Sequence, residues 1–213
     1  FIPPNHRIIS IEDTRELQLP KYLHWVPLVT RLQNTEGKGE VTMLDLLVNS
    51  LRMRPDRIVL GEMRRKEEAQ VLFEAMHTGH SVYSTVHAES VSETIQRLVY
   101  PPIEVPANLL PTVNLNLVMY RERRRGIRRV FQLGEFIRAE TEEGIAVRPN
   151  IIYRWNPSTD KIEESLKASK LFEELSLHTG LNKREIDEKL EENKKILNWM
   201  LKYNVRDVQS IGK

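Results

Sequence analysis

The stretch RIVLGEMR, residues 57–64, decides the fold. Ile58, Val59 and Leu60 form a short apolar run, the pattern of a strand buried on both faces. The run stops at Gly61 and gives way to Glu62 and Arg64. A core strand that ends on a glycine, a carboxylate and a guanidinium delivers polar groups to one edge of a sheet. An apolar run followed by an acid is the Walker B arrangement, and taken singly that string is common.

The neighbouring segments show the same logic. Residues 6–11 read as a strand, entered after Pro3-Pro4, that runs into the charged loop Glu12-Asp13-Thr14-Arg15-Glu16. Residues 17–40, with Pro20, Pro27, Gly37 and Gly39, read as irregular. Residues 42–53 are a helix: Met43, Leu44, Leu47, Val48 and Leu51 recur at helical spacing, Thr42 is the N-cap, and Pro55 stops it. A strand over 58–61, a helix over 66–76 ended by Gly79, a strand over 81–86 and a helix over 91–99 follow. Strand and helix alternate, so the expected class is α/β with a mostly parallel sheet.

Beyond Pro101-Pro102 and Pro106 the period changes. Residues 115–121 and 128–136 read as antiparallel strands with Gly126 in the turn, and 145–155 adds one or two more. Residues 160–165 read as a linker. Two helices follow, 166–178 ended by Gly180 and one begun by Asn182 with Glu185 as a capping box. Ile186, Leu190, Leu197 and Leu201 form the stripe of the second.

The chain has 213 residues, 40% hydrophobic and 29% charged, an ordinary globular composition. A net charge of +2 argues neither for nor against nucleic acid or membrane surfaces. There is no cysteine, which excludes disulfides, thiolate zinc sites and a cysteine nucleophile. No run approaches the ~18 apolar residues of a membrane span. The chain opens on Phe1-Ile2-Pro3-Pro4 without a methionine, so it is expected to be a piece of a longer chain.

In open parallel sheets, ligands bind beyond the carboxyl ends of the strands. Three strands here end in unusual chemistry: Glu12, Asp13 and Glu16; Glu62 and Arg64; and Thr85-Val86-His87-Ala88-Glu89. Carboxylates that orient water, arginines and a histidine that meets a phosphoryl oxygen are the parts of phosphoryl transfer to water.

The combination resembles the ATPase core of the type II/type IV secretion and pilus-assembly ATPase superfamily, most of all its tight-adherence pilus and archaeal pilus and archaellum branches. IEDTRELQLP (11–20) is similar to the family's Asp box, LRMRPDRIVLGEMR (51–64) to its Walker B region, and TGHSVYSTVHAES (78–90) to its His box. The likeness covers about residues 5–136, with the motifs in the family's order and spacing.

The resemblance implies a partial RecA-like P-loop NTPase core, then a small antiparallel β element and a helical C-terminal tail. The expected divisions are 1–140, 141–163 and 164–213. It implies ATP and Mg²⁺ as cofactors. Glu62 would polarise the attacking water. Glu12 and Glu16 would line the same pocket, with Mg²⁺ held through water by Glu12 or Glu62. His87, with His80 second, would couple the γ-phosphate to conformational change. Arg52, Arg54 and Arg64 would neutralise phosphates or act between subunits. Gly61 would let the backbone approach the nucleotide. The implied assembly is a homo-hexamer at the inner, cytoplasmic face of a membrane, docked on an integral membrane platform protein, with no nucleic acid and no zinc.

One departure stands out. The phosphate-binding string G-x-x-x-x-G-K-[ST] occurs nowhere in the chain, and Gly37-Lys38-Gly39 does not substitute for it. In the family that loop lies just upstream of the Asp-box strand, so it is expected before residue 1. The chain by itself is expected to bind and hydrolyse ATP poorly.

Blander readings stand beside these. The acids of residues 12–16 could be a solvated loop, and His80 could only cap a helix end. His87-Ala88-Glu89 mimics the H-x-E of zinc deaminases, but the cysteine partner motif is missing. His6, His24, His77 and His178 show no ligand spacing. The tract Arg121-Glu122-Arg123-Arg124-Arg125-Gly126-Ile127-Arg128-Arg129 lacks interleaved aromatics and suits a hairpin tip. The helices around Gly180 look like a helix-turn-helix, but Glu185, Asp187, Glu188, Glu191 and Glu192 would repel DNA. The alternatives to a motor are a nucleic-acid translocase or binding protein with a RecA-like core, or a non-catalytic truncated interaction module.

Overall fold

The computed structural model describes residues 2–141 and 144–211. The chain forms two compact units, Phe1–Val86 with Trp199–Lys213, and His87–Asn198.

The first unit is built on a parallel sheet of β1 (Arg7–Glu12), β2 (His24–Val29), β3 (Arg57–Leu60) and β4 (Ser81–Ser84), in the order β2-β1-β3-β4. Every pairing in it is parallel, so the carboxyl ends of all four strands fall on one edge. The inner strands carry the core: Ile8, Ile9, Ile11, Ile58 and Leu60 are fully buried. This is why they read as continuous apolar runs rather than alternating ones.

Helix α1 (Met43–Leu51) starts as its sequence dictates. Asp45 N donates to Thr42 Oγ1 at 3.1 Å, and Thr42 N donates to Asp45 Oδ2 at 2.9 Å, a capping box. It stops short of the expected residue 53. The amides of Arg52 and Met53 turn back onto Asn49 and Ser50, and Arg54 is left-handed at φ 52°. Helix α2 (Lys66–His77) buries Leu72 and Phe73 and ends before Gly79.

Strand β2 corrects the expectation that residues 17–40 are irregular. Pro27 obscured it, since proline cannot donate to a ladder. Here β2 is the outer strand with Pro27 opposite Ser10, the edge position that proline tolerates. Trp25 Nε1 donates to Ser10 Oγ at 2.9 Å, fixing the strand against β1.

The second unit holds an antiparallel sheet of β5 (Asn116–Glu122), β6 (Ile127–Thr141), β7 (Gly144–Asn156) and β8 (Lys161–Glu164), paired in sequence order. The β6–β7 hairpin runs across residue 140, and β8 replaces the linker expected over 160–165. Helix α3 (Val91–Val99) lies on this sheet. Val91 N donates to Gln132 Oε1 at 2.9 Å. A Cβ at Gly134 would stand 3.0 Å from Val91 Cγ2, so glycine is what allows that close approach. Helix α4 (Lys170–Thr179) begins later than the expected residue 166 and ends on left-handed Gly180. Helix α5 (Lys183–Lys202) is capped by Asn182 and Glu185 as its sequence says. Ile186 on its stripe is buried, whereas Leu190, Leu197 and Leu201 are exposed. The last residues of α5, from Trp199, and a short helix α6 (Val208–Ile211) belong to the first unit.

The turn after β7 carries a pH-dependent contact. Asp160 accepts from Arg129 Nε and Nη2, each at 2.7 Å, and from Trp155 Nε1 at 2.8 Å. The Arg129 hydrogen bonds, then that from Trp155, hold its carboxyl down at about 2. A depressed carboxyl stabilises the fold at pH above its ordinary range, and that contribution is lost as pH falls toward the depressed value. The expected result is a change in tryptophan fluorescence centred near pH 2 that Asp160→Asn removes from the acid titration. Identical titrations of the two proteins would refute it.

Candidate functional site

The edge where β1 and β3 end gathers the acids expected there. Glu12, the last residue of β1, is buried at 5% exposure. Its Oε1 accepts from the backbone amides of Glu16 at 3.0 Å and Leu17 at 3.1 Å, so the charged loop folds back onto the carboxylate. The other oxygen, Oε2, is buried and has no hydrogen-bond partner. Leaving a buried acceptor unsatisfied costs about 1–3 kcal/mol, and more for a charged group.

Gly61 explains how β3 reaches this carboxylate. Its amide donates to Ile11 O at 2.8 Å, and a Cβ there would meet Ile11 O at 3.3 Å and Glu12 Cγ at 3.5 Å. The close approach that the glycine permits in this structure is to the end of β1. Past it, Thr85 Oγ1 donates to Gly61 O at 2.6 Å and Met63 N donates to Thr85 O at 3.0 Å. Those bonds turn the chain out of β4 after Ser84, earlier than the expected residue 86.

Glu62 and Arg64 meet beside Glu12's loop. Arg64 Nε and Nη2 donate to Glu62 Oε2 at 2.8 and 2.5 Å. Arg64 Nη1 donates to Asp13 Oδ2 at 2.8 Å, and Thr30 Oγ1 to Asp13 Oδ1 at 3.1 Å. The hydrogen bond and charge of Glu62, helped by the charges of Asp13 and Glu68, raise the Arg64 pKa above its ordinary value. Glu68, buried in the first turn of α2, accepts from the amides of Arg64 at 3.0 Å and Arg65 at 3.1 Å.

Of the other expected site residues in the first unit, only Glu16 lies beside Glu12. Glu16 reaches Glu12 through its amide, and its side chain is exposed. Arg52 caps the C-terminus of α1, and Arg54 lies between α1 and the start of β3, at the opposite edge of the sheet. His80 also lies at that opposite edge, just before β4. Its Nδ1 is 3.1 Å from Thr78 Oγ1 and 3.2 Å from Ala75 O, the helix-end role that the blander reading gave it. The structure therefore does not bring Arg52, Arg54 or His80 to Glu62. His87 is exposed and belongs to the second unit.

Asp13, Thr30 and Glu68 are the site residues that sequence reasoning left without roles. Asp13 stood inside the Asp-box string, and Glu68 at the third position of α2 was a readable helix-start signal. Thr30 follows β2, which was not read.

Among the described residues no group of three or more histidine, aspartate or glutamate side chains could hold a metal ion. The unpartnered oxygen of Glu12 has the acceptor chemistry that a water carried by a hydrated Mg²⁺ would need. The string G-x-x-x-x-G-K-[ST] of a phosphate-binding loop is not in this chain.

A parallel α/β sheet with acids on its carboxyl edge, followed by an antiparallel sheet and helices, is a partial RecA-like core with appended elements. The family described as Type II/IV secretion system protein matches residues 1–120, and the chain belongs to that family. It is 36% identical over 188 residues to an uncharacterized protein of Methanocaldococcus jannaschii, covering 87% of this chain and 68% of that one. It is 41% identical over 97 residues to the protein VirB11 of Agrobacterium fabrum, covering 46% of this chain and 28% of that one. Among solved structures, the VirB11 ATPase from the Brucella suis type IV secretion system, in complex with sulphate, matches with a TM-score of 0.50 and 29% identity, over 63% of this chain and 41% of that one. The chain thus matches less than half the length of either VirB11 protein. No helix among the described residues is long and apolar enough to cross a membrane.

Proposed function

We propose that this chain is the Asp-box, Walker B and His-box portion of a motor that hydrolyses ATP to ADP and phosphate to drive protein export or filament assembly. The observation that carries the reading is the meeting of Glu12, Glu62, Asp13 and Arg64 at one edge of a parallel sheet. Glu62 orients and deprotonates the attacking water. Glu12, held by the amides of residues 16 and 17, keeps its second oxygen for a water next to the phosphates. Bound Mg²⁺ supplies charge neutralisation at the phosphoryl oxygens. Arg64 lends positive charge to the acidic edge, and His87 follows the strand end as the phosphate-reporting group.

The working assembly is a homo-hexamer with nucleotide between subunits, peripheral to the cytoplasmic face of a membrane and bound to an integral membrane platform protein. Similarity to VirB11 supports this assignment to a secretion motor.

The chain carries the acids without the phosphate cradle, so it is inactive by itself. A purified 1–213 polypeptide is expected to give no ATP turnover above a protein-free control, while a polypeptide that also carries a G-x-x-x-x-G-K-[ST] loop turns over ATP. Phosphate release assays on both decide it. Sustained turnover by residues 1–213 alone would overturn the assignment of phosphate binding to a separate loop.

A further inference from the structure

Arg64 is tied to two acids from two different strand ends. Its Nε and Nη2 converge on one oxygen of Glu62, and its Nη1 reaches Asp13, which Thr30 holds from the other side. The backbone beneath it is pinned by Glu68 and, through Met63, by Thr85. The guanidinium is therefore well placed but not deeply held. The side chains of Arg64 and Asp13 are 58% and 45% exposed, against 20% for Glu62. Exposed ion pairs of this kind contribute little, so a stronger anion can take the guanidinium away. A polyphosphate is such an anion, because its oxygens match the guanidinium fork in two-point contact.

We propose that Arg64 and Asp13 form a displaceable latch on Glu62, in which Arg64 occupies a Glu62 oxygen until a polyphosphate takes the guanidinium over. Asp13 is the positioning residue that keeps Arg64 across Glu62. The latch rests on the role given to Glu62 above, and it supplies what that role lacks, a reason for the acid to stay unreactive toward water while no nucleotide is bound.

The test reads Arg64 rather than turnover. In ¹⁵N-labelled 1–213 protein the Nε–H resonance of Arg64 is followed by NMR, with inorganic pyrophosphate as the probe and sodium chloride at matched ionic strength as the control. Hydrogen exchange at that Nε–H is expected about three- to tenfold slower than in a blocked free arginine. Asp13→Asn and Glu62→Gln should each erase much of that protection. Pyrophosphate should shift the resonance further than sodium chloride does. An unprotected Nε–H, protection that survives Asp13→Asn, or equal shifts with the two salts would each overturn the latch. None of these results depends on hydrolysis. A failure of the catalytic role of Glu62 would show instead as turnover that survives Glu62→Gln, so the two ideas fall separately.

Discussion

Glu62→Gln, in a polypeptide that also carries the phosphate-binding loop, is expected to keep nucleotide binding and to lose ATP turnover by about a hundredfold or more. The amide has the size of the carboxylate, so the backbone geometry of the edge built on Gly61 should persist even though the charged grip on Arg64 weakens. What disappears is the negative charge and the ability to take a proton from water. Binding of a fluorescent nucleotide within about threefold of the parent, with single-turnover rates down by two orders of magnitude, would place the loss in the chemical step. Turnover within a factor of about three of the parent would reduce Glu62 to a structural partner of Arg64. Nucleotide binding lost together with turnover would mean that the acid organises the site rather than acting on water.

That experiment has a clear target because part of the site was legible in local sequence. The run Ile58-Val59-Leu60 ending on Gly61 announced both the strand and the acid it presents. The start of α1 was readable for the same reason, since Thr42 and Asp45 cap it within four residues. What could not be read was interaction at a distance. Arg64 and Asp13 are 51 residues apart, and nothing near either one says that a shared guanidinium closes the edge. Strand β2 was hidden because Pro27 counts against a strand unless its outer position is already known. The separation of Arg52, Arg54 and His80 from Glu62 follows from strand direction: they sit before β3 and β4, and Glu62 lies past the end of β3.

Glu135 shows the same limit most sharply, and its removal is the largest stability effect expected of any single substitution here. In sequence it is an acid in a strand, which reads as solvent-facing. In the fold it is fully buried. Oε2 accepts from Asn150 Nδ2 at 2.8 Å and from Ser169 N at 3.2 Å, and Oε1 accepts from Leu171 N at 2.6 Å. Ser169 and Leu171 flank the start of α4, so a carboxylate on β6 satisfies amides that the helix leaves unpaired at its own N-terminus. Negative charge also suits that end of a helix dipole. Glu135→Ala would orphan these donors, of which Asn150 is buried and those at the start of α4 are partly exposed, at a cost of about 1–3 kcal/mol, a sizeable part of a typical domain's stability. The urea midpoint should drop accordingly, and the amides of α4 should lose exchange protection first. Glu135→Gln keeps the volume but turns an NH₂ group toward donors, so it should be destabilised as well, by less. Arg184→Ala breaks only an exposed pair with Glu188 on α5 and should leave the midpoint nearly unchanged. If Glu135→Ala unfolded no more easily than Arg184→Ala, the start of α4 would have to be held by something other than this carboxylate.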